Sequence, residues 1–164
     1  MEVLNEFPSR FERYWLGGMR RKLGLATAED DDGELIRSLL DWMEAAQADY
    51  TNTFRDLSAD GPLNSSQYQA PTFQAWHGQW RDRLQREGRQ DSEVHADMRS
   101  ANPAIIPRNH RVEEALAAAE EHGDLSVLQR LLVALATPFE ANANSAYYRE
   151  PQPDDHCYRT FCGT

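Results

Sequence analysis

Lysine is almost absent from this sequence of 164 residues, because Lys22 is the single lysine among its 17 basic residues and the rest are arginine. A mechanism that needs a catalytic or phosphate-binding lysine therefore has one candidate. Lys22 follows two arginines at the end of a predicted amphipathic helix. Its positive charge there interacts favourably with the negative end of the helix dipole. A nucleotide-clamping lysine is expected on a β-strand, so we expect a structural role for Lys22.

The sequence also lacks a basic excess and any long hydrophobic run. The 17 basic residues face 27 acidic ones, which gives a net charge of −10 and disfavours general binding to nucleic-acid backbones. No run reaches the roughly 18 apolar residues of a membrane span, and the first residues carry acids where a signal peptide would be basic. We expect a soluble, cytoplasmic protein with no nucleic-acid or membrane partner.

Cysteine is scarce, with Cys157 and Cys162 both near the end of the chain. They lie too close together in the sequence to cross-link distant parts of the fold. A disulfide between them would close a short loop and be strained. In a reducing cytosol we expect both thiols to be reduced. Together with His156 they offer three soft ligands within seven residues, but no fourth ligand is evident, so a zinc site is the less favoured alternative.

Sequence signatures of common catalytic sites are missing as well. The chain has neither form of glycine-rich phosphate loop, no H-R-D or D-F-G triplet of a protein kinase, no H-E-x-x-H pair and no nucleophile elbow. An independent enzyme that uses Arg108, Asn109 and His110 remains the least favoured hypothesis, because no base–nucleophile pair can be recognised.

Helical periodicity is what the sequence does contain. Apolar residues recur at helical spacing in the stretches 7–23, 35–43, 73–84, 111–121 and 125–135, and no useful strand-like alternation occurs. We predict an all-α fold, with a helical region over residues 1–137 and an irregular C-terminal arm over residues 138–164. Expected boundary residues are Pro8 in a first helical turn, Ser92 and Asn109 as N-caps, Gly123 as a helix end and Asp124 as the next cap.

An acidic run, residues 29–32, precedes the second predicted helix. It lacks the Asp/Asn/Gly alternation of a calcium loop. Carboxylates at the start of a helix interact favourably with the positive end of its dipole. We therefore expect these acidic side chains to be exposed to solvent at the start of the helix, and we regard a metal site as the less favoured alternative.

Three segments, residues 49–55, 102–110 and 159–164, are not explained by helix propensity alone. Each combines aromatic or proline rigidity with Asn, Arg or Thr side chains that can bind backbone groups. The favoured interpretation is a set of buried hydrogen bonds that fixes helix junctions, and the alternative is a ligand site or docking surface. The candidate residues are Asp49, Tyr50, Asn52, Arg55, Asn102, Arg108, Asn109 and His110.

These segments also carry a family likeness. The strings 19–25 (MRRKLGL), 48–55 (ADYTNTFR), 102–116 (NPAIIPRNHRVEEAL) and 158–164 (YRTFCGT) occur in this order. In them the chain resembles the C-terminal portion of the selenoprotein O (SelO) family of kinase-like protein adenylyltransferases. The likeness runs from about Phe7 to the last residue.

The resemblance implies the helical C-terminal part of an atypical kinase-like fold. Full-length family members bind ATP with a divalent metal such as magnesium and transfer AMP to Ser, Thr or Tyr hydroxyls of protein substrates. Their nucleotide and metal ligands lie in a preceding part that this sequence does not match. We therefore expect this chain alone to bind no cofactor and to be non-catalytic, with the missing kinase-like portion as a possible partner.

Cys162 matches a family position near the C-terminus that is Cys or selenocysteine. The resemblance implies redox regulation there, through a disulfide with a cysteine that this chain lacks. The alternative function is a free-standing helical adaptor that docks a partner through an exposed apolar patch including Phe11, Trp15, Trp76 and Trp80.

Overall fold

The protein is all-α. The computed structural model describes residues 2–141 and 145–152, with residues 2–5 and 145 described through their backbone alone. These ranges contain no β-strand, and none of their helices has the length and apolar character needed to cross a membrane. The elements are α1 (Glu2–Lys22), α2 (Asp32–Ala45), α3 (Tyr50–Leu57), the 3-10 helix η1 (Ser66–Gln69), α4 (Pro71–Arg86), α5 (Asp91–Ala101), α6 (Asn109–His122), α7 (Ser126–Leu135) and α8 (Ser145–Arg149).

The chain divides into two compact units, Met1–Ala104 and Ile105–Thr164. Helices α1 to α5 belong to the first unit and α6 to α8 to the second. The sequence predicts a different division, between a helical region that ends at residue 137 and an irregular arm that begins at residue 138. Helix α8 lies within that arm, and residues 142–144 and 153–164 lie outside the described residues.

The first unit is built around its amphipathic helices. Helix α2 packs against α1 and α4, and α5 packs against α1 and α3. The apolar side chains at helical spacing on these elements form one buried core, which includes Leu23, Ile36, Phe54, Phe73 and Met98. Burial of these faces is the main favourable contribution to the stability of the unit.

Two of the residues expected in an exposed patch lie in this core instead. Trp76 and Trp80 are 4% and 2% exposed, and their indole N–H groups donate to backbone oxygens at 2.9 and 3.0 Å. The expectation of an apolar patch that includes them is therefore wrong. Phe11, at 58% exposure, is the member of that set that faces solvent, and Trp15 is partly buried.

The starts of α1, α5 and α6 differ from the predicted ones. Helix α1 begins at Glu2, so Pro8 lies inside it, although proline there removes one backbone hydrogen bond. Helix α5 begins at Asp91, which places Ser92 within it, after Gln90 as the N-cap. Helix α6 begins at Asn109, with Arg108 in extended conformation as the N-cap. The capping propensities of Pro, Ser and Asn therefore do not place the first residues of these three helices correctly.

The second unit contains a helical hairpin in which α6 packs against α7. Gly123 ends α6 with a φ of +65°, as predicted, because glycine adopts this left-handed conformation without a steric penalty. The N-cap of α7 is Leu125 and not Asp124 as predicted, because the helix begins at Ser126. The Asp124 carboxylate still accepts a hydrogen bond from the Ser126 N–H at 2.8 Å. Leu131 is buried in the unit, but Leu125 and Leu132 of the predicted apolar face are exposed.

Candidate functional site

The segment 49–55 forms the start of α3. Asp49 is in extended conformation, and its carboxylate accepts a hydrogen bond from the Asn52 N–H at 2.7 Å. This N-cap satisfies one of the backbone donors left free at a helix start. The Tyr50 hydroxyl reaches Met19 Sδ of α1 at 3.5 Å, so the segment also contacts the end of the first helix.

Asn102 joins that segment to two helix ends. The residue is fully buried, its amide donates to the Lys22 carbonyl at 2.8 Å, and its side-chain oxygen accepts from Lys22 Nζ at 3.2 Å. Its own carbonyl accepts a hydrogen bond from Arg55 at 2.9 Å, and the same guanidinium nitrogen reaches the Arg99 carbonyl at 3.3 Å. Asn102 thus connects the C-terminal ends of α1 and α5 with α3.

Lys22 is held firmly within this junction. Its ammonium group lies 5.5 Å from the ring centroid of Tyr50 and 5.2 Å from that of Phe54, which are cation–π distances. Burial lowers the pKa of Lys22. The structural role expected for Lys22 is more specific than a dipole contact, because it bonds a residue 80 positions away.

The other candidate motif lies in the second unit. Arg108 precedes α6, and Asn109 and His110 occupy its first turn. His110 Nε2 is buried without a hydrogen-bond partner in the described part of the chain. Burial, together with the charges of Arg111 and Arg108, lowers the pKa of His110, so the imidazole is neutral at pH 7. The motif supplies no nucleophile beside that imidazole.

Five of the eight candidate residues therefore lie in the first unit and three in the second. Asp49, Tyr50, Asn52, Arg55 and Asn102 surround one helix junction. Arg108, Asn109 and His110 begin a helix of the other unit. The first group has the hydrogen bonds of a structural junction, the interpretation that the sequence favoured.

A buried ionic network is the polar feature that the sequence did not reveal. The Asp32 carboxylate accepts hydrogen bonds from Arg20 at 2.6 Å, Arg83 at 2.8 Å and the Glu29 N–H at 2.9 Å. Arg83 is buried and also pairs with Glu87 at 2.9 Å. We call Arg20, Glu29, Asp32, Arg83 and Glu87 the Asp32 network. It ties the loop after α1 to α2 and α4.

The expectation of solvated helix-start acids is therefore wrong for Asp32, which is 1% exposed. Burial alone would raise the pKa of Asp32, but hydrogen bonds from Arg83, the Glu29 N–H and Arg20 outweigh it and lower the pKa. Asp30 and Asp31 are exposed, as expected. Helical phase explains the difference, since Asp32 precedes buried Ile36 by one turn.

Glu87 secures the loop between α1 and α2. Its carboxylate accepts the N–H groups of Ala26 at 3.0 Å and Thr27 at 3.0 Å, besides the Arg83 guanidinium. Burial would raise the pKa of Glu87, but these hydrogen bonds outweigh it and lower the pKa. The contribution of Glu87 to stability is therefore complete above the pKa of an unfolded glutamate, about 4.3, and is lost as the pH falls through the folded pKa.

We predict a pH-dependent effect for the substitution Glu87→Gln. At pH 7 the variant should lose about 2 kcal/mol of unfolding free energy, because charge-assisted hydrogen bonds are removed. The difference from the parent should shrink as the pH falls below about 4.3 and through the lowered folded pKa of Glu87, because the parent carboxylate then becomes protonated as well. Urea unfolding at pH 7, 5 and 3, followed by tryptophan fluorescence, measures this difference in stability.

The control is the substitution Glu44→Gln, because Glu44 is exposed. This variant should change stability by less than about 0.5 kcal/mol at each pH. An equal loss for E87Q at all three pH values would contradict the prediction.

No group of three or more His, Cys, Asp or Glu side chains in residues 2–141 and 145–152 is arranged to hold a metal ion. His156, Cys157 and Cys162 lie outside the described residues. The zinc alternative and the redox expectation for Cys162 therefore stay predictions from the sequence.

Comparison with known proteins decides the family. The sequence profile described as protein adenylyltransferase SelO matches residues 1–136. The chain belongs to the SelO family. This confirms the resemblance seen in the four sequence strings, three of which (19–25, 48–55 and 102–116) contribute to the junction around Asn102.

Curated relatives of this SelO-family chain are considerably longer than the chain itself. It is 49% identical over 163 residues to the protein nucleotidyltransferase YdiU of Geobacillus kaustophilus. The aligned region covers 99% of this chain but only 34% of that relative. The corresponding proteins of Syntrophotalea carbinolica and Anoxybacillus flavithermus are 48% and 47% identical and are each covered to 33%. The chain thus spans about a third of the length of the curated relatives it matches.

Proposed function

We propose that this chain is the helical C-terminal part of a SelO-type protein adenylyltransferase and that it does not transfer AMP by itself. The observation that carries the proposal is the coverage: nearly all of the chain aligns with about a third of relatives named as nucleotidyltransferases. The complete enzyme would transfer AMP from ATP to hydroxyl groups of protein substrates. This part would support the fold of the kinase-like part.

The polar chemistry of the described residues supports a non-catalytic role. Nucleotidyl transfer to a hydroxyl depends on metal ions and on cations that hold the phosphates. The described residues offer no such cluster of metal ligands. Lys22 lies on a helix and is bonded to Asn102 between two aromatic rings. ATP and magnesium would therefore be bound by the remainder of the enzyme, with no step assigned to this chain.

An exposed apolar ridge on α1 supports an interface with that remainder. Phe7, Phe11 and Tyr14 are 64%, 58% and 72% exposed, and the first two rings are stacked with centroids 6.2 Å apart. Burial of such side chains is favourable by about 25 cal/mol per Å² of apolar surface. The kinase-like part of the enzyme is the partner we propose for this ridge.

The alternative function, a free-standing adaptor, is favoured by the same ridge, because large exposed apolar patches mark interaction sites. The two functions differ in the partner. Binding of the kinase-like part of the Geobacillus kaustophilus relative to the ridge supports the first, and binding of an unrelated protein alone supports the adaptor. In either case we propose a cytoplasmic location and redox regulation through Cys162.

The proposal predicts that the chain alone binds no ATP tightly. Isothermal titration with ATP and magnesium should give no saturable heat up to millimolar nucleotide, because the ligands for metal and phosphates belong to the rest of the enzyme. The full-length Geobacillus kaustophilus relative, a named nucleotidyltransferase, serves as the positive control. Magnesium-dependent binding of ATP to this chain with micromolar affinity would refute the non-catalytic role.

A further inference from the structure

The first half of α1 is not covered by the described part of the chain. Every side chain from Glu6 to Tyr14 is exposed. Packing against the core begins at Trp15, and Met19 and Leu23 near the end of the helix are buried. A helical segment this short is only marginally stable in water without tertiary packing. The exposed half of α1 is therefore the part of the helix that a partner would stabilise most.

The ridge of Phe7, Phe11 and Tyr14 continues to Gly18 along one face of α1. These positions are four, three and four residues apart, which is the spacing of the seam between two helices packed along each other. Buried Leu23 lies on the other side of the helix, where α1 contacts the core. The ridge is thus separate from the core-facing side, and its spacing fits a second helix that lies along α1.

Gly18 leaves room for such a helix to come close. Glycine inside a helix is less favourable than alanine. Gly18 does not have a positive φ, and no atom lies within 4 Å of its hypothetical Cβ. The packing of the described residues therefore does not require glycine at this position. The distance between two packed helices depends on the side chains at their contact, so a glycine on the ridge allows a close crossing.

A cavity of about 560 Å³ lies beside Gly18, between the end of α1 and one side of α5. Its lining includes the small or apolar residues Gly18, Leu25, Ser100 and Ala101, all of which belong to the first unit. Arg21 also lines the cavity and is exposed. The ridge and this cavity form one continuous surface, because Gly18 belongs to both. We call this surface the α1 groove.

We propose that the α1 groove binds an amphipathic α-helix of the kinase-like part of the enzyme. Apolar side chains of that helix would contact Phe7, Phe11 and Tyr14, its closest approach would be at Gly18, and a carboxylate near its end would pair with Arg21. Docking of an amphipathic helix in a groove is a recurrent mode of recognition. The distance along α1 from Phe7 to Gly18 is about 16 Å, or three helical turns, which sets the minimum length of the docked helix.

This inference rests on the proposed function, which names the same partner for the ridge, and it adds which kind of element that partner supplies. The occupant belongs outside this chain, because the aligned region covers 34% and 33% of two relatives and leaves about two thirds of each unmatched.

Co-expression of this chain with the unmatched two thirds of the Geobacillus kaustophilus relative tests the α1 groove. The tagged parent chain should retain that polypeptide during purification. Phe11→Ser removes a central contact of the ridge and should reduce the captured amount at least about tenfold. The matched control is Leu132→Ser in α7, because Leu132 and Phe11 are 57% and 58% exposed. This control should leave capture unchanged.

Gly18→Leu tests the close approach of the second helix. The variant should fold, because the space around Gly18 is open, but the leucine side chain would hold the second helix away and reduce capture at least about tenfold. Gly78 of α4 is likewise inside a helix with no atom within 4 Å of its hypothetical Cβ. Gly78→Leu is therefore the matched control and should not change capture. Circular dichroism verifies that both variants remain helical.

Each outcome decides for or against the α1 groove. Loss of capture by F11S and G18L, with retention by L132S and G78L, supports the proposal. Retention by both F11S and G18L overturns it but leaves the proposed function intact, whereas no capture by the parent chain overturns both. Loss with F11S alone shows that no helix approaches closely at Gly18, which also overturns the proposal.

Two further measurements identify the occupant. Hydrogen exchange of the captured complex should show protection of residues 6–18 together with one helical segment of the partner, and protection of a non-helical segment there would contradict the proposal. Sedimentation equilibrium of the chain alone should show a monomer. A dimer that F11S converts to a monomer would mean that a second copy of this chain occupies the α1 groove, and the proposal would be wrong.

Discussion

The substitution Asp32→Asn is expected to destabilise the first unit by about 3 kcal/mol, because removing one partner of a buried ion pair leaves the other charge inadequately compensated. Asp32 is 1% exposed and accepts hydrogen bonds from Arg20 and Arg83. In the variant, the asparagine amide places an N–H donor against one of these guanidinium groups. Arg83 keeps Glu87 as a partner, which limits the loss.

Urea unfolding followed by tryptophan fluorescence measures this effect. All four tryptophans lie in Met1–Ala104, so the signal reports on the unit that contains the Asp32 network. Asp31→Asn is the matched control, since Asp31 is exposed and its side chain makes no capping hydrogen bond. It should change stability by less than about 0.5 kcal/mol. A loss below about 1 kcal/mol for D32N would show that the network contributes little.

The Asp32 network shows which part of the structure the sequence could have revealed. Asp32 lies on the same face of α2 as Ile36 and Leu39, four and seven positions later, and both are fully buried. Helical phase alone could therefore have distinguished Asp32 from Asp30 and Asp31. Its partners could not be found in this way, because Arg20 and Arg83 are 12 and 51 positions away and pairing at such separations depends on tertiary packing.

The helices themselves were predictable because their apolar faces are regular. The spacing of Phe73, Trp76, Trp80 and Leu84 indicates α4, and all four side chains are buried. The spacing does not show how much of a face is covered, which is why an exposed patch was expected to include Trp76 and Trp80. Coverage depends on which helices pack together, and periodicity carries no information on that.

The candidate site was predictable as a set of residues but not as an arrangement. The segments 49–55 and 102–110 were recognised from composition and family likeness. Asn102 joins Lys22, 80 positions earlier, to Arg55, 47 positions earlier. No local rule gives these contacts, and the sequence also did not indicate that Arg108, Asn109 and His110 belong to a separate compact unit.

The substitution Gly24→Ala should cost about 3 kcal/mol, for two reasons that add. Gly24 ends α1 with a φ of +75°, a conformation that costs an L-residue about 1 kcal/mol. A Cβ atom at this position would also lie 2.6 Å from Val94 Cγ1 and 2.9 Å from Met98 Cγ. Both side chains are buried in the core, and overpacking of a core costs about 1–3 kcal/mol.

Gly88→Ala separates these two contributions within the same unit. Gly88 has a φ of +65°, and no atom lies within 4 Å of its hypothetical Cβ, so this variant should lose only the backbone contribution of about 1 kcal/mol. The close approach of α5 to the end of α1 then accounts for the remaining 2 kcal/mol or so of the G24A effect. A double-mutant cycle with Val94→Ala tests the cause directly, since removing Cγ1 of Val94 should reduce the cost of G24A. Equal losses for G24A and G88A, measured by urea unfolding, would mean that α5 moves away from Gly24 without cost.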